Sequence, residues 1–207
     1  MTLVVTGPSG VGKSSVIHAV LRVEPDLRFS ISHTTRPPRA EERDGIDYHF
    51  VERQAFERLR DAGGFLESAE VHGNLYGTAV SEIEAAAREG KDLLLDIDVQ
   101  GAAQVAARAH DAVSIFVLPP DFTTLESRLR GRHSDSEEVI RGRLARATDE
   151  VRRCGSFGYL VVNRTVELAV SEVRSILAAE RLRTSRRGDL LAGILGTFPE
   201  QGSGAPR

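Results

Sequence analysis

The sequence predicts an α/β fold, a parallel sheet flanked by helices on both faces, and three observations point to it. Short apolar, β-branched runs recur along the chain, helical stretches separate most of them, and the first run breaks into a glycine-rich turn that opens a helix. The chain of 207 residues suits a single globular unit with insertions.

Taken in order, TLVVT at residues 2–6 ends at Gly7-Pro8-Ser9-Gly10 and reads as a buried strand followed by a turn. A helix follows from Lys13 to about Val23. Further strands are expected at 27–32 (LRFSIS), 92–98 (DLLLDID), 113–118 (VSIFVL) and 159–162 (YLVV), with helices at 80–88, 102–108, 123–129 and 166–182. The strands are continuously apolar, so helices must cover both faces, and a ligand site is expected at the carboxyl ends of the strands.

Two segments break this rhythm. Residues 33–78 hold short alternating pieces such as DYHFV and FLESAEV, with Gly73 and Asn74 at turns, and read as a small mixed or antiparallel insertion suited to a substrate lobe. From Ser134 the chain reads SDSEEVIRGRLARATDEVRR. There Ile140, Leu144, Ala147 and Val151 form one apolar stripe of an arginine-rich helix, and Ser134 with Glu137 forms a capping box. The stretch 188–207 carries Gly, Pro and little periodicity, so a mobile tail with a short helical turn at LLAGIL is expected.

Composition excludes several functions. No run approaches the roughly 20 apolar residues that a membrane span needs. The first apolar run meets Gly7 without a basic region or cleavage site, so no secretory signal is expected and a cytoplasmic setting follows. A formal charge of −3 argues against a nucleic-acid partner. The single cysteine, Cys154, reads as a spectator thiol, and the six dispersed histidines show no metal spacing. Of 27 basic side chains only Lys13 and Lys91 are lysine, which makes a lysine in a motif informative.

Gly7-Pro8-Ser9-Gly10-Val11-Gly12-Lys13-Ser14 matches GxxxxGKS between a strand and a helix, with Ser15 next. Backbone N–H groups of such a loop cradle the phosphates of a nucleoside triphosphate, Lys13 bridges the β- and γ-phosphates, and Ser14 can ligate Mg²⁺. A nucleoside triphosphate is therefore expected, with Mg²⁺. Asp96, with Asp98, ends an apolar strand where the second acidic element beside the metal belongs. Phosphoryl transfer also needs an acceptor site, often built from arginines that fork onto phosphate. Arg36 and Arg39, with Tyr48 nearby, suit that role, although a solvated basic loop would look the same.

The segment FSISHTTRPPRAEERDGIDYHF resembles the guanylate kinase signature SxSHTTRxPRxGExxGxxYxFV. FLESAEVHGNLYGT, LLDIDVQGA, IFVLPP and YLVVN resemble the family's later blocks in the right order, over residues 2–183. The resemblance implies transfer of the terminal phosphate of ATP to GMP, and to dGMP. It implies that Arg36, Arg39, Tyr48 and Tyr76 bind the GMP phosphate, and that Ser32, Glu67, Thr78 and Asp98 bind or orient the guanine. Arg132 and Arg143 match lid arginines that close on the phosphates, and Asn163 a position near the ATP adenine. Its domain plan is a guanylate kinase-like domain over 1–184, with core 1–32, 79–130 and 154–184, a GMP-binding lobe 33–78 and a lid 131–153; residues 185–207 are the tail. Two positions depart from the pattern: Glu41-Glu42 replaces Gly-Glu, which leaves Glu42 open as a site residue, and Arg164 replaces the acid after VVN. Two rival readings are a sugar-phosphate kinase on the same fold and a non-catalytic binding module. The intact phosphate loop, a carboxylate suited to guanine at Glu67 and the GNLYGT block count against them.

Overall fold

The computed structural model describes residues 1–71, 73–131 and 136–198. Five parallel strands form the main sheet: β1 (Thr2–Thr6), β2 (Leu27–Phe29), β7 (Asp92–Asp96), β8 (Val113–Leu118) and β9 (Tyr159–Val162). Their spatial order is β2-β7-β1-β8-β9, so β1 is central. Every residue of β1 is buried, as a strand covered on both faces must be.

The alternation of β1 shows what covers it. Leu3 and Val5 join Val16, Ile17 and Val20 of helix α1 (Lys13–Val23) and Ala169, Val173 and Leu177 of helix α7 (Val166–Arg181). Val4 points the other way, into a second cluster with Ala86 of α3 (Ser81–Arg88) and Ala102 and Val105 of α4 (Val99–Arg108). Burial of these side chains on two faces is the main stabilising term of the core, at roughly 1.5–3 kcal/mol for each large aliphatic residue. The register also positions the site. Val5 pairs with Asp96 and Thr6 with Phe116, so the turn after β1 and the acid ending β7 lie side by side.

A second sheet of order β4-β3-β6-β5 makes up the expected insertion. It comprises β3 (His33–Thr34), β4 (His49–Phe50), β5 (Phe65–Val71) and β6 (Asn74–Ala79). It is mixed: β3 runs parallel to β4, while β6 is antiparallel to both β3 and β5. The alternating pieces reduce to two-residue ladders at β3 and β4. A helix absent from the sequence reading, α2 (Arg53–Asp61), covers Phe65 and Leu75 with Phe56 and Leu59.

Helix α5 (Phe122–Arg130) packs on α6 (Glu137–Arg152), with Leu125 and Leu129 against Ile140, Leu144 and Ala147. The expected capping box is corrected. Ser136, not Ser134, caps α6 by accepting from the Val139 N–H, and Glu137 is instead drawn to Arg130 at 2.6 and 2.8 Å. Ser134 itself lies outside the described residues. Val151 is only half-buried. Helix α4 begins three residues before the expected 102, because the Asp98 carboxylate accepts from the Gly101 N–H and caps it. At the C-terminal end α8 (Gly188–Leu195) is longer than the single turn expected at LLAGIL, and no residue of it is buried.

Candidate active site

The phosphate loop is shaped by glycines. Gly10 and Gly12 have φ of 87° and 89°, a region that side chains with a Cβ resist. Gly7 has no room either, since a Cβ there would stand 2.5 Å from the Val117 carbonyl oxygen. Gly12 precedes α1, whose first turn has neither a side-chain cap nor an acidic residue. Its N–H groups and dipole therefore face an anion unopposed.

Three side chains outside the loop hold it. Arg128 of α5 donates to the carbonyls of Val11 and Asn163, both at 3.0 Å. The Asn163 Nδ2 donates to the same Val11 oxygen at 2.8 Å. Leu129 fills the space that a Cβ on Gly10 would need. Asn163, expected near the adenine, is 3% exposed and lies beneath the loop. Arg128 escaped the sequence reading because nothing distinguishes it among so many arginines.

Lys13, first residue of α1, is in direct ion-pair contact with Asp96. Burial pushes the Lys13 ammonium down to about 8, against the opposing pull of the Asp98 and Glu150 carboxylates. These groups line a cavity of about 540 Å³. Of the expected site residues, Gly7, Pro8, Ser9, Gly10, Gly12, Lys13, Ser14, Ser15, Asp96 and Asp98 line its phosphate side. Ser32, Tyr48, Glu67 and Tyr76 line the other. Val11, Thr78 and Asn163 are buried behind the wall.

On the far side of the cavity, Glu67 of β5 is 4% exposed. Its Oε1 accepts from the Thr78 N–H at 2.9 Å and the Thr78 hydroxyl at 2.7 Å, and Ser32 Oγ lies 3.4 Å from that hydroxyl. Burial raises the Glu67 carboxyl above its ordinary range and Asp98 adds to this, while the two Thr78 bonds lower it. A buried carboxylate with one oxygen held and the other without a hydrogen-bond donor among the described residues suits a ligand that offers paired N–H donors.

Tyr48 and Tyr76 meet edge to face at 6.0 Å. Arg36 stands 5.6 Å from the Tyr48 ring and donates to Glu42 at 2.8 Å. The other Glu42 oxygen accepts the Arg39 N–H at 2.8 Å. Glu42, left open in the sequence, thus ties the two arginines into one turn beside the tyrosines. Neither Arg36 nor Arg39, both expected at the acceptor phosphate, is among the residues that line the cavity. Arg143 lies on α6, two turns before Glu150 on the same face, and Glu150 reaches the cavity. Glu150 was missed, and its spacing from Arg143 was the available signal. Arg132 lies outside the described residues.

Comparison with known proteins agrees with this geometry. Residues 1–180 match the family described as Guanylate kinase. The chain is 50% identical over 183 residues to a guanylate kinase from Syntrophotalea carbinolica, covering 88% of this chain and 87% of that one. It is 47% identical over 184 residues to one from Methylobacillus flagellatus, covering 89% and 91%. Among solved structures, a guanylate kinase from Anaplasma phagocytophilum superposes with a TM-score of 0.73 at 34% identity, over 90% of this chain and 88% of that one.

Proposed function

The chain belongs to the guanylate kinase family, whose reaction is ATP-dependent phosphorylation of GMP, and on that premise we propose how its own residues carry it out. The observation that carries the proposal is a single cavity shared by the phosphate loop and by Ser32, Tyr48, Glu67 and Tyr76. A donor triphosphate and an acceptor monophosphate meet there.

Gly7 to Ser15 cradle the β- and γ-phosphates of ATP through backbone N–H groups, and Lys13 turns from Asp96 onto the phosphate oxygens. Glu67, Thr78, Ser32 and Asp98 hold the guanine, whose N1–H and 2-amino group donate to the Glu67 carboxylate. Arg36, Arg39, Tyr48 and Tyr76 take the GMP phosphate, with Glu42 holding the Arg36 guanidinium and the backbone of Arg39. Arg132 and Arg143 neutralise charge on the transferred phosphoryl as the lid closes. The attacking atom is a phosphate oxygen that is already ionised, so no general base is assigned. Asn163 acts on the ATP side by bracing the loop.

The Ser14 hydroxyl and the Asp96 carboxylate are hard oxygen donors beside the phosphate loop, so these residues fit Mg²⁺. Bound there with ATP, the cation offsets phosphate charge. No contact with the ribose 2′-hydroxyl is required by the residues described, so dGMP is proposed as a second acceptor. Residues 33–78 serve as the GMP lobe, 131–153 as the lid and 185–207 as the tail. No helix among the described residues is long and apolar enough to cross a membrane, and the proposed setting is cytoplasmic.

A coupled ADP-release assay with ATP and Mg²⁺ against GMP, dGMP, AMP, UMP, CMP and ribose 1,5-bisphosphate tests the proposal. Turnover confined to GMP and dGMP is expected. Turnover of the sugar phosphate, or none at all, would overturn it.

A further inference from the structure

Strand β5 carries a bulge immediately before Glu67. Phe65 pairs with Ala79 and Glu67 with the adjacent Thr78, so Leu66 is the extra residue. A bulge leaves backbone groups off the ladder and re-aims the side chains beside it. Arg108 of α4 supplies what the ladder lacks: its Nη1 donates to the Phe65 carbonyl at 2.6 Å and to the Leu66 carbonyl at 3.1 Å.

One turn earlier on α4, the Gln104 side chain meets the residue on the other side of Glu67. The Ser68 N–H donates to Gln104 Oε1 at 3.1 Å, and Gln104 Nε2 donates to the Ser68 carbonyl at 2.9 Å. β5 is the edge strand of its sheet, so α4 side chains stand where a further strand would pair.

Gly101 completes this face of α4, at spacing i, i+3, i+7 with Gln104 and Arg108. A Cβ on Gly101 would lie 2.6 Å from Glu67 Oε2 and 3.2 Å from its Cδ. Gly101 is not among the residues with positive φ, so its backbone does not demand glycine. Helix propensity there favours alanine. What the position requires is the missing side chain, because the carboxylate occupies that space. Thr78 holds the carboxylate from the other side through Oε1.

We propose that Gly101, Gln104 and Arg108 are positioning residues for guanine specificity: together they set where the Glu67 carboxylate points. The proposal rests on Glu67 reading the base. In Gly101→Ala the new methyl needs the space that Glu67 Oε2 occupies and forces the carboxylate off its present aim, while leaving the phosphate loop untouched.

The test compares GMP with IMP, which lacks the 2-amino donor. In Gly101→Ala, kcat/KM for GMP should fall about tenfold or more and for IMP much less, as expected when one of several base contacts is misaligned. The KM for ATP should stay within about twofold, while the melting temperature should fall somewhat, because displacing a buried carboxylate outweighs the better helix propensity of alanine. A wild-type GMP-to-IMP ratio in folded Gly101→Ala overturns the proposal. Should that variant fail to fold, Arg108→Met provides the readout: the ratio should fall, and Arg108→Lys, which keeps one donor for the bulge, should recover part of it. An unchanged ratio in Arg108→Met also overturns it. Glu67→Gln separates the two layers. If Glu67→Gln shifts the ratio while the α4 variants do not, the positioning role fails and base reading stands. If Glu67→Gln leaves it unchanged, both fail.

Discussion

The Asn163 side chain donates to the Val11 carbonyl at 2.8 Å and so joins the phosphate loop to the end of β9 across 152 residues of chain. Arg128 reaches both residues from a third element. The loop is therefore held from behind. Asn163→Ala should leave Arg128 as the remaining partner of Val11 and cost about 1–3 kcal/mol, the usual penalty for an under-satisfied buried polar group. For a domain of this size that lowers the melting temperature by about 2–4 °C per kcal/mol. The KM for ATP should rise several-fold while that for GMP barely moves. Equal effects on the two KM values in Asn163→Ala would show that Asn163 supports more than the loop.

Lys13 yields a pH prediction. Burial brings its ammonium down to about 8 in the free protein, so it loses its proton within the working range. The folded chain releases this proton before the unfolded one does, so Lys13 makes stability rise with pH between about 8 and its ordinary value of 10.5. Function runs the other way. ATP phosphates need the charged form, so kcat/KM for ATP should fall above about pH 8, whereas kcat should hold to higher pH because bound phosphate favours the ammonium. A pH-rate series on wild type and Lys13→Met checks this. The variant should be slower by several orders of magnitude and should lack the alkaline break.

Legibility in the sequence followed the physics of each element. The parallel core was readable because its strands are continuously apolar. The phosphate loop was readable because its glycines and Lys13 admit few substitutes. α2 was hidden because only Ala55, Phe56 and Leu59 are apolar in a nine-residue helix, too few for a period to show. The start of α4 was hidden because Gly101 looks like a breaker, and only the structure shows that the glycine makes room for Glu67. Arg128, Asn163 and Glu42 work by holding other site residues in place. Such roles depend on contacts between distant segments, which spacing along a chain does not encode.

The C-terminal segment divides at Arg187. Arg183 and Arg186 both reach the buried Glu180 carboxylate, which also accepts the Tyr159 hydroxyl at 2.6 Å, and Arg186 donates to the Asp111 carbonyl at 2.6 Å. No residue of α8 beyond them is buried. Truncation after Arg187 should leave activity and melting temperature unchanged. Truncation after Leu182 removes both arginines from Glu180 and should lower the melting temperature by several degrees. Thermal scans of the two truncations decide it; a drop of several degrees on truncation after Arg187 would show that α8 packs on a partner surface.

Glu67→Gln is the direct test of base reading. The Glu67 Oε1 already accepts twice from Thr78, which leaves Oε2 as the oxygen without a donor among the described residues. Glutamine must place its amide somewhere. If its oxygen stays with Thr78, an N–H faces the donors of guanine; if it turns, the N–H opposes the Thr78 donors. Either way donors confront donors in a closed site, at about 1–3 kcal/mol per unpaired group, or roughly 5- to 150-fold in kcat/KM for GMP. The KM for ATP should not move, because the phosphate loop lies on the opposite side of the cavity. AMP presents an acceptor at N1 and should lose far less. The carboxylate also makes the effect pH-dependent. Burial raises its pKa, so GMP efficiency in the wild type should decline on acidification from above the ordinary carboxylate range. Glu67→Gln should lose that acid limb. A GMP-to-AMP ratio that is unchanged in the folded variant, with the acid limb intact, would remove Glu67 from base recognition.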